Sequence, residues 1–313
     1  MCWIMVLFVL SGMIGVSEAA SLASEAKEIA TDSPKTAVTG DGPLVPVTKA
    51  ISYVMKHFSR EMAAPRVFVN AASETAAASG SVISTETSAI SESPSPAEIK
   101  IEYPEFQSSG EKNAAVDAIN AFIFQKLTIQ EEGKYASSVV QVIDVFMDDF
   151  QATLKENPDM PGGWSRDLSL KVRYADENLL SLEIVDSSFT GGNHPNTNIE
   201  YVVLSMKTGS PIKLAEFVPA AKMKELTKIA EEYFREAHEM KSTDSFEEVG
   251  FTFDKNTFAL NENFLVWKDG LEFYFNPYEV AAYVVGPTLV LVPWTKLADI
   301  ADAKGPAGAF LER

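Results

Sequence analysis

DLSLKVRYADENLLSLEIVDSSFTGGNHPNTNIEYVVLSM, residues 167–206, holds three alternating segments in succession. Leu168, Leu170, Val172 and Tyr174 recur at every second position, and Leu180, Leu182 and Ile184 repeat the pattern before NIEYVVLSM follows. A period of two places alternate side chains on one face of a strand, so each segment is expected to be a strand with one face buried. Between the last two, FTGGNHPN gathers glycine, proline and asparagine, the residues that reverse a chain. The last two strands are therefore expected to pair antiparallel across this loop.

Working outward, EIKIEYPEF (98–106) alternates in the same way, and Pro104 is expected to end that strand or place it at an edge. Two amphipathic helices should follow, one from Lys112 through Phe124 and one over Ser137–Glu156, stopped by NPDMPGGW. Downstream, 214–240 carries a helical stripe. TFALN, FLVWKDGLEFYF (a hairpin about Asp269-Gly270) and TLVLVPW read as strands. In FNPYEVAAYVVGP (275–287) a helix is expected, with Asn276 as cap, Pro277 at the first turn and Glu279 completing a capping box. Elements in blocks rather than in strict alternation predict an α+β fold, with a mainly antiparallel sheet packed with several helices and preceded by a disordered linker.

That linker is read from residues 21–97, whose later part is dominated by Ala, Ser, Thr and Glu and is too poor in apolar residues to offset the entropy of ordering. Within it, Val47, Ile51, Val54, Met55 and Phe58 have the spacing of a short helix. Residues 301–313 are read as a tail. At the other end, WIMVLFVLSGMIGV (3–16) followed by SEAAS is the pattern of a secretory signal occupying residues 1–20, cleaved after Ala19 or Ala20. The expected location is periplasmic or secreted. The apolar run is too short to span a bilayer comfortably, so no stable transmembrane span is expected in the mature chain. The single cysteine, Cys2, precedes the run, so the mature chain is expected to lack disulfides and cysteine chemistry.

A formal charge of −18 argues against nucleic acid or an anionic membrane as the main partner and suits a cationic one. No nucleotide-binding glycine loop and no GxSxG nucleophile motif is present, so no cofactor is expected. The first candidate contact surface is the loop with Gly191, Gly192, Asn193, His194, Pro195 and Asn196. His194 admits two readings: proton transfer with Asp186 or Glu200 as partner, or a ring that pins the loop to neighbouring backbone. With three histidines, no HxH or HxxxH near the loop and no mature cysteine, no metal site is expected. Tyr278, Glu279 and Tyr283 form a second candidate surface, although aromatic residues at a helix–sheet junction are usually core. His238, near the end of an acidic helix, suits the helix dipole as a cation. FTFDKN (251–256) is similar to the TFDDG motif of polysaccharide deacetylases. Lys255 and Asn256 stand where that motif has Asp and Gly, so the match reads as chance.

Three separated elements occur in a recognisable order: GGNHPN, then LSMKTGSPIKLAEF, then LEFYFNPYEVAAYVVGP with a closing strand that ends VPW. Together they resemble the C-terminal domain of unknown function in RsiV-type anti-sigma factors and PdaC-type peptidoglycan deacetylases. Residues 98–163 resemble the PdaC-like companion domain, and 164–300 the RsiV-like domain. The resemblance implies an extracytoplasmic accessory pair without the deacetylase catalytic domain. It also implies lysozyme or cell-wall glycan as the partner of a non-catalytic binding module. Two alternatives stay open: a cell-wall or glycan hydrolase using His194 with a nearby carboxylate, and a structural envelope protein.

Overall fold

In the computed structural model, which describes residues 37–39, 42–63, 96–131, 134–157, 160 and 163–311, the three alternating segments are consecutive strands. They are β7 (Ser165–Ala175), β8 (Leu179–Phe189) and β9 (Asn196–Ser205), paired antiparallel from Ser165↔Phe189 and from Leu179↔Ser205. The first reversal is made by Asp176, whose carboxylate accepts the N–H groups of Asn178 (2.7 Å) and Leu179 (2.9 Å). β4 (Ala97–Ser108) joins β7 in parallel, with Glu98↔Ser165 to Glu102↔Ser169. Pro104 lies beyond the last β7 partner, where only one neighbouring strand remains.

The β4–β7 crossover contains α1 (Ala114–Thr128) and α2 (Val139–Glu156). Asn113 caps the first by accepting the Ala115 N–H at 2.9 Å, and Ser138 caps the second by accepting the Gln141 N–H at 3.1 Å. Ile119, Ile123, Ile143 and Phe150 of the helices pack with Ile99, Ile101, Leu170 and Leu182 of the sheet in one core cluster. That cluster draws on both sides of residue 164, where the sequence placed a boundary, and the sheet crosses that point without a break.

The residues expected to form a short helix within the linker are instead a twelve-residue strand, β3 (Ile51–Met62). It pairs with β4 from Ile51↔Ser108 to Met62↔Ala97. Two short strands flank it, β1 (Ala37–Thr39) and β2 (Val45–Pro46). The correction has a non-local cause. Tyr53 meets Phe106 at 5.3 Å and Phe58 stacks on Tyr103 at 6.1 Å, so cross-strand aromatic pairs and a full ladder outweigh a helical spacing of five apolar residues. Of the linker expected over residues 21–97, residues 21–36, 40–41 and 64–95 lie outside the described residues, as does the signal expected over residues 1–20.

The rest of the chain builds a second core. After a short β5–β6 ribbon (Ile129–Glu131, Lys134–Tyr135) at the helix layer, the later strands form a separate three-stranded antiparallel sheet. Its strands are β10 (Phe264–Val266), β11 (Gly270–Phe275) and β12 (Thr288–Pro293). Gly270 is demanded by contact, because a Cβ there would lie 2.2 Å from the Val292 carbonyl oxygen. Against this sheet sits α4 (Met223–Ala237), and Phe234 in its last turn is ringed by Phe251, Phe253, Phe258 and Phe275 at 4.9–5.7 Å. Each such phenyl contributes about 1.5–3 kcal/mol on burial.

The expected helix over 214–240 is split into α3 (Leu214–Phe217) and α4, because Pro219 disfavours helix at the residue before it. TFALN is not a strand. The residues read as a tail are folded on: Ala307 and Phe310, the latter in α6 (Gly308–Leu311), are buried. Phe310 stacks on Trp294 of α5 (Trp294–Leu297) at 4.8 Å. The architecture is α+β with mainly antiparallel sheets. Among the described residues, no helix is long and apolar enough to cross a membrane.

Candidate functional site

The β8–β9 loop turns through Gly191 (φ 103°) and Gly192 (φ 112°), and nothing lies within 4 Å of a Cβ at either position. Both glycines are therefore present for the left-handed backbone and not for close packing. The turn carries His194 over to the segment that follows β11. Its ring stacks on Tyr283 with centroids 3.8 Å apart and planes at 13°. Nδ1 lies 2.9 Å from the Pro195 carbonyl oxygen, and Nε2 lies 3.3 Å from the Tyr278 hydroxyl. Tyr283 donates its hydroxyl to the same Pro195 oxygen at 3.4 Å, and the two tyrosine rings are 5.4 Å apart. The two candidate surfaces, 84 residues apart in sequence, are thus one patch. It is not core: Tyr278 is 60% exposed, Tyr283 36% and the adjacent Val284 92%.

The helix expected to start at Asn276 does not form, and the reason positions the patch. Half of the capping box is present, since Glu279 accepts the Asn276 N–H at 2.8 Å. The Asn276 amide, however, is engaged across the molecule: its Oδ1 accepts the Ile199 N–H at 2.7 Å and its Nδ2 donates to the Ile199 carbonyl at 3.0 Å. Asn263 does the same one step along, with Oδ1 accepting the Tyr201 N–H at 2.6 Å and Nδ2 donating to Ile199 at 2.9 Å. Two side-chain amides therefore close the free edge of β9, where another strand would otherwise pair. Tyr278 then takes φ 69°, a left-handed conformation that no helix continues.

Beside the patch lies a cleft of about 330 Å³ lined by Asn198, Glu200, Tyr201, Glu262, Asn263 and Glu279, among others. Three carboxylates and no lysine or arginine line it. Glu279 is also held by the Asn261 amide at 2.8 Å. The carboxylates considered as acid–base partners of His194 are engaged elsewhere. Asp186 takes the Arg166 guanidinium through both oxygens (3.0 and 2.8 Å), and Glu200 pairs with Lys126. Among the described residues, no three His, Cys, Asp or Glu side chains gather as a metal site.

Sequence reasoning missed the group behind the cleft. Tyr201 donates its hydroxyl to buried Glu272 at 2.8 Å, while buried Glu183 pairs with Arg173, whose guanidinium lies 4.9 Å above the Trp267 ring. Burial first, then the Glu272 hydrogen bond and charge, pushes the Tyr201 hydroxyl well above the usual phenol range. The available signal was a glutamate inside a predominantly apolar strand, as in LLSLEIV. His238 also differs from expectation. It ends α4 against Phe251 (4.6 Å) and Phe234 (4.8 Å) with Nε2 2.9 Å from the Thr288 hydroxyl, and burial lowers its pKa toward the uncharged ring. Asp254 of FTFDKN stands on an exposed turn, with Lys255 at φ 51° and Asn256 at φ 54°.

Comparison with known proteins places these features. Residues 90–197 match the family model described as "Deacetylase PdaC", and residues 217–295 match "Protein of unknown function (DUF3298)". The GGNHPN loop falls in the first match and the Tyr278–Tyr283 segment in the second, so the patch joins the two. No curated protein matches the chain. The crystal structure of a DUF3298 family member from Bacteroides fragilis is similar in fold, with a TM-score of 0.58 at 19% identity, over 71% of this chain and 91% of that one. A DUF3298 family protein from Pseudomonas aeruginosa aligns with a TM-score of 0.53 at 14% identity, over 81% of this chain and 94% of the other. The chain is thus similar, in this order, to the PdaC model over residues 90–197 and to the DUF3298 model over residues 217–295, and its fold is that of DUF3298 family structures.

Proposed function

We propose that this chain is a non-catalytic, exported binding module that meets its partner at the His194–Tyr278–Tyr283 patch, and that the partner is the cationic surface of a protein such as a lysozyme. The observation that supports this reading is the pairing of exposed aromatic rings with a cleft lined by Glu200, Glu262 and Glu279 and by no basic side chain. Arginine and lysine side chains gain about 0.5–1 kcal/mol over an exposed aromatic face, and carboxylates alongside add charge-assisted hydrogen bonds. The −18 charge steers a basic partner toward the molecule. Export rests on the apolar run and small residues at the N-terminus.

A cell-wall glycan is the second reading, favoured by Asn198 lining the cleft with the carboxylates and by the exposed tyrosine rings of the patch, since pyranose faces stack on aromatic rings and their hydroxyls bond amides and carboxylates. The test is binding of the full chain to immobilised lysozyme and to soluble peptidoglycan fragments at low and high salt. The expected result is lysozyme binding that weakens steeply as salt screens exposed charges over about 8–10 Å and that is lost in Tyr278→Ala and Glu262→Gln. Binding to the fragments alone, insensitive to salt, selects the glycan reading. Fragment turnover abolished by His194→Ala would select the hydrolase reading. With neither binding nor turnover, the structural envelope protein remains.

A further inference from the structure

At the end of β9 opposite the aromatic patch, a second cleft of about 540 Å³ opens between the β7–β8 turn, the turn after β9 and the C-terminal segment. Its apolar lining includes Leu179, Ile212 and Phe310, and its polar lining includes Lys207 and Lys304. Two carboxylates are also present, and both accept from the protein's own donors. Asp176 takes the Asn178 and Leu179 N–H groups and the Tyr174 hydroxyl at 2.7–2.9 Å, and Glu216 takes the Lys213 N–H at 2.9 Å. Neither Lys207 nor Lys304 has an ion-pair partner among the described residues.

Of the four charged side chains that line the cleft, the two carboxylates are thus engaged by the protein's own donors, while the two ammonium groups are left without an ion pair among the described residues. Its size lies in the range of small-molecule sites, about 300–1,000 Å³, which combine apolar walls with a few polar anchors. We infer that this cleft binds an amphipathic organic anion, its carboxylate or phosphate taken by Lys207 and Lys304 and its apolar part lying on Leu179, Ile212 and Phe310. The lysines supply the charge-assisted hydrogen bonds, and the apolar lining supplies a free energy proportional to the area removed from water. The C-terminal segment completes the site. Asp302 donates its N–H to the Phe217 carbonyl at 2.8 Å, which holds Lys304 and Phe310 in place. This site is independent of the partner-binding patch.

Calorimetric titration of the full chain with octanoate, octyl phosphate, inorganic phosphate and octyl glucoside tests the inference. Octanoate and octyl phosphate should bind. The double variant Lys207→Gln, Lys304→Gln, which changes two exposed side chains and should keep the melting temperature, should weaken both at least tenfold. The inference is overturned if neither amphiphilic anion binds or if the double variant binds them unchanged. It fails equally if octyl glucoside binds as tightly, because charge would be irrelevant, or if inorganic phosphate does, because the apolar lining would be irrelevant. Ile212→Ala, at a half-buried position of the lining, separates site from fold: weaker octanoate binding with the melting temperature kept supports the site, and unchanged octanoate binding counts against it.

Discussion

The two ends of β9 solve the same edge problem by different means. Near the aromatic patch the free edge is closed by side chains, the amides of Asn263 and Asn276 reaching Ile199 and Tyr201. At the other end the main chain closes it, with Ile212 donating to the Val203 carbonyl at 2.8 Å and Ser205 donating to the Ser210 carbonyl at 2.9 Å. A main-chain closure presses the turn into the body of the protein. There Gly209 (φ 73°) lies so close to α1 that a Cβ would come within 2.5 Å of the Ala118 Cβ and 2.7 Å of the Ala115 carbonyl oxygen. A side-chain closure holds the neighbouring segment at arm's length, which leaves an open cleft lined by carboxylates. One end is acidic and aromatic, and the other carries Lys207 and Lys304.

The largest expected effect breaks the main-chain end. Gly209→Ala combines a left-handed backbone with a backbone clash and should cost on the order of 2–4 kcal/mol, seen as a fall in melting temperature. Asn263→Ala attacks the side-chain end. It strips the Tyr201 N–H of its partner and should cost about 1–3 kcal/mol, with lysozyme binding weakened and octanoate binding intact. If Asn263→Ala leaves the melting temperature unchanged, the amides are not what closes the edge.

A pH series sharpens the contrast further. The fold favours the neutral form of Tyr201, with its pKa raised above that of the unfolded phenol near 10. The unfolded chain then loses this proton first, so stability is present below about pH 10 and falls as pH rises above it. Tyr201→Phe should flatten that alkaline slope in chemical denaturation. His238 acts in the opposite direction. Its pKa is lowered by burial, so the unfolded chain takes up the proton first and stability falls as pH drops below about 6.5. The smallest effect is that of His194→Ala, which removes one exposed stacking contact. It should lower stability by about 0.5–1 kcal/mol while loosening Tyr283, visible as sharpened ring resonances.

Much of this was legible in the chain. Alternation fixes the face of each strand locally, so β7, β8 and β9 and the loop between the last two follow from residues 167–206 alone. The amphipathic spacing of apolar residues announces α1 and α2 for the same local reason. The candidate loop and the Tyr278–Tyr283 surface were each visible as unusual residues. Their union was not, because it depends on where β11 ends relative to β9.

Tertiary structure decided the rest through hydrogen-bonding partners distant in sequence. Ile51–Met62 has a helical spacing, yet it is a strand because β4 offers twelve matching residues. FNPYEVAAYVVGP carries the signals of a capped helix, yet it turns because Asn276 bonds Ile199, 77 residues away. A local pattern counts only the turns available within a segment. Where a long-range partner satisfies the same groups and buries more surface, that partner sets the conformation.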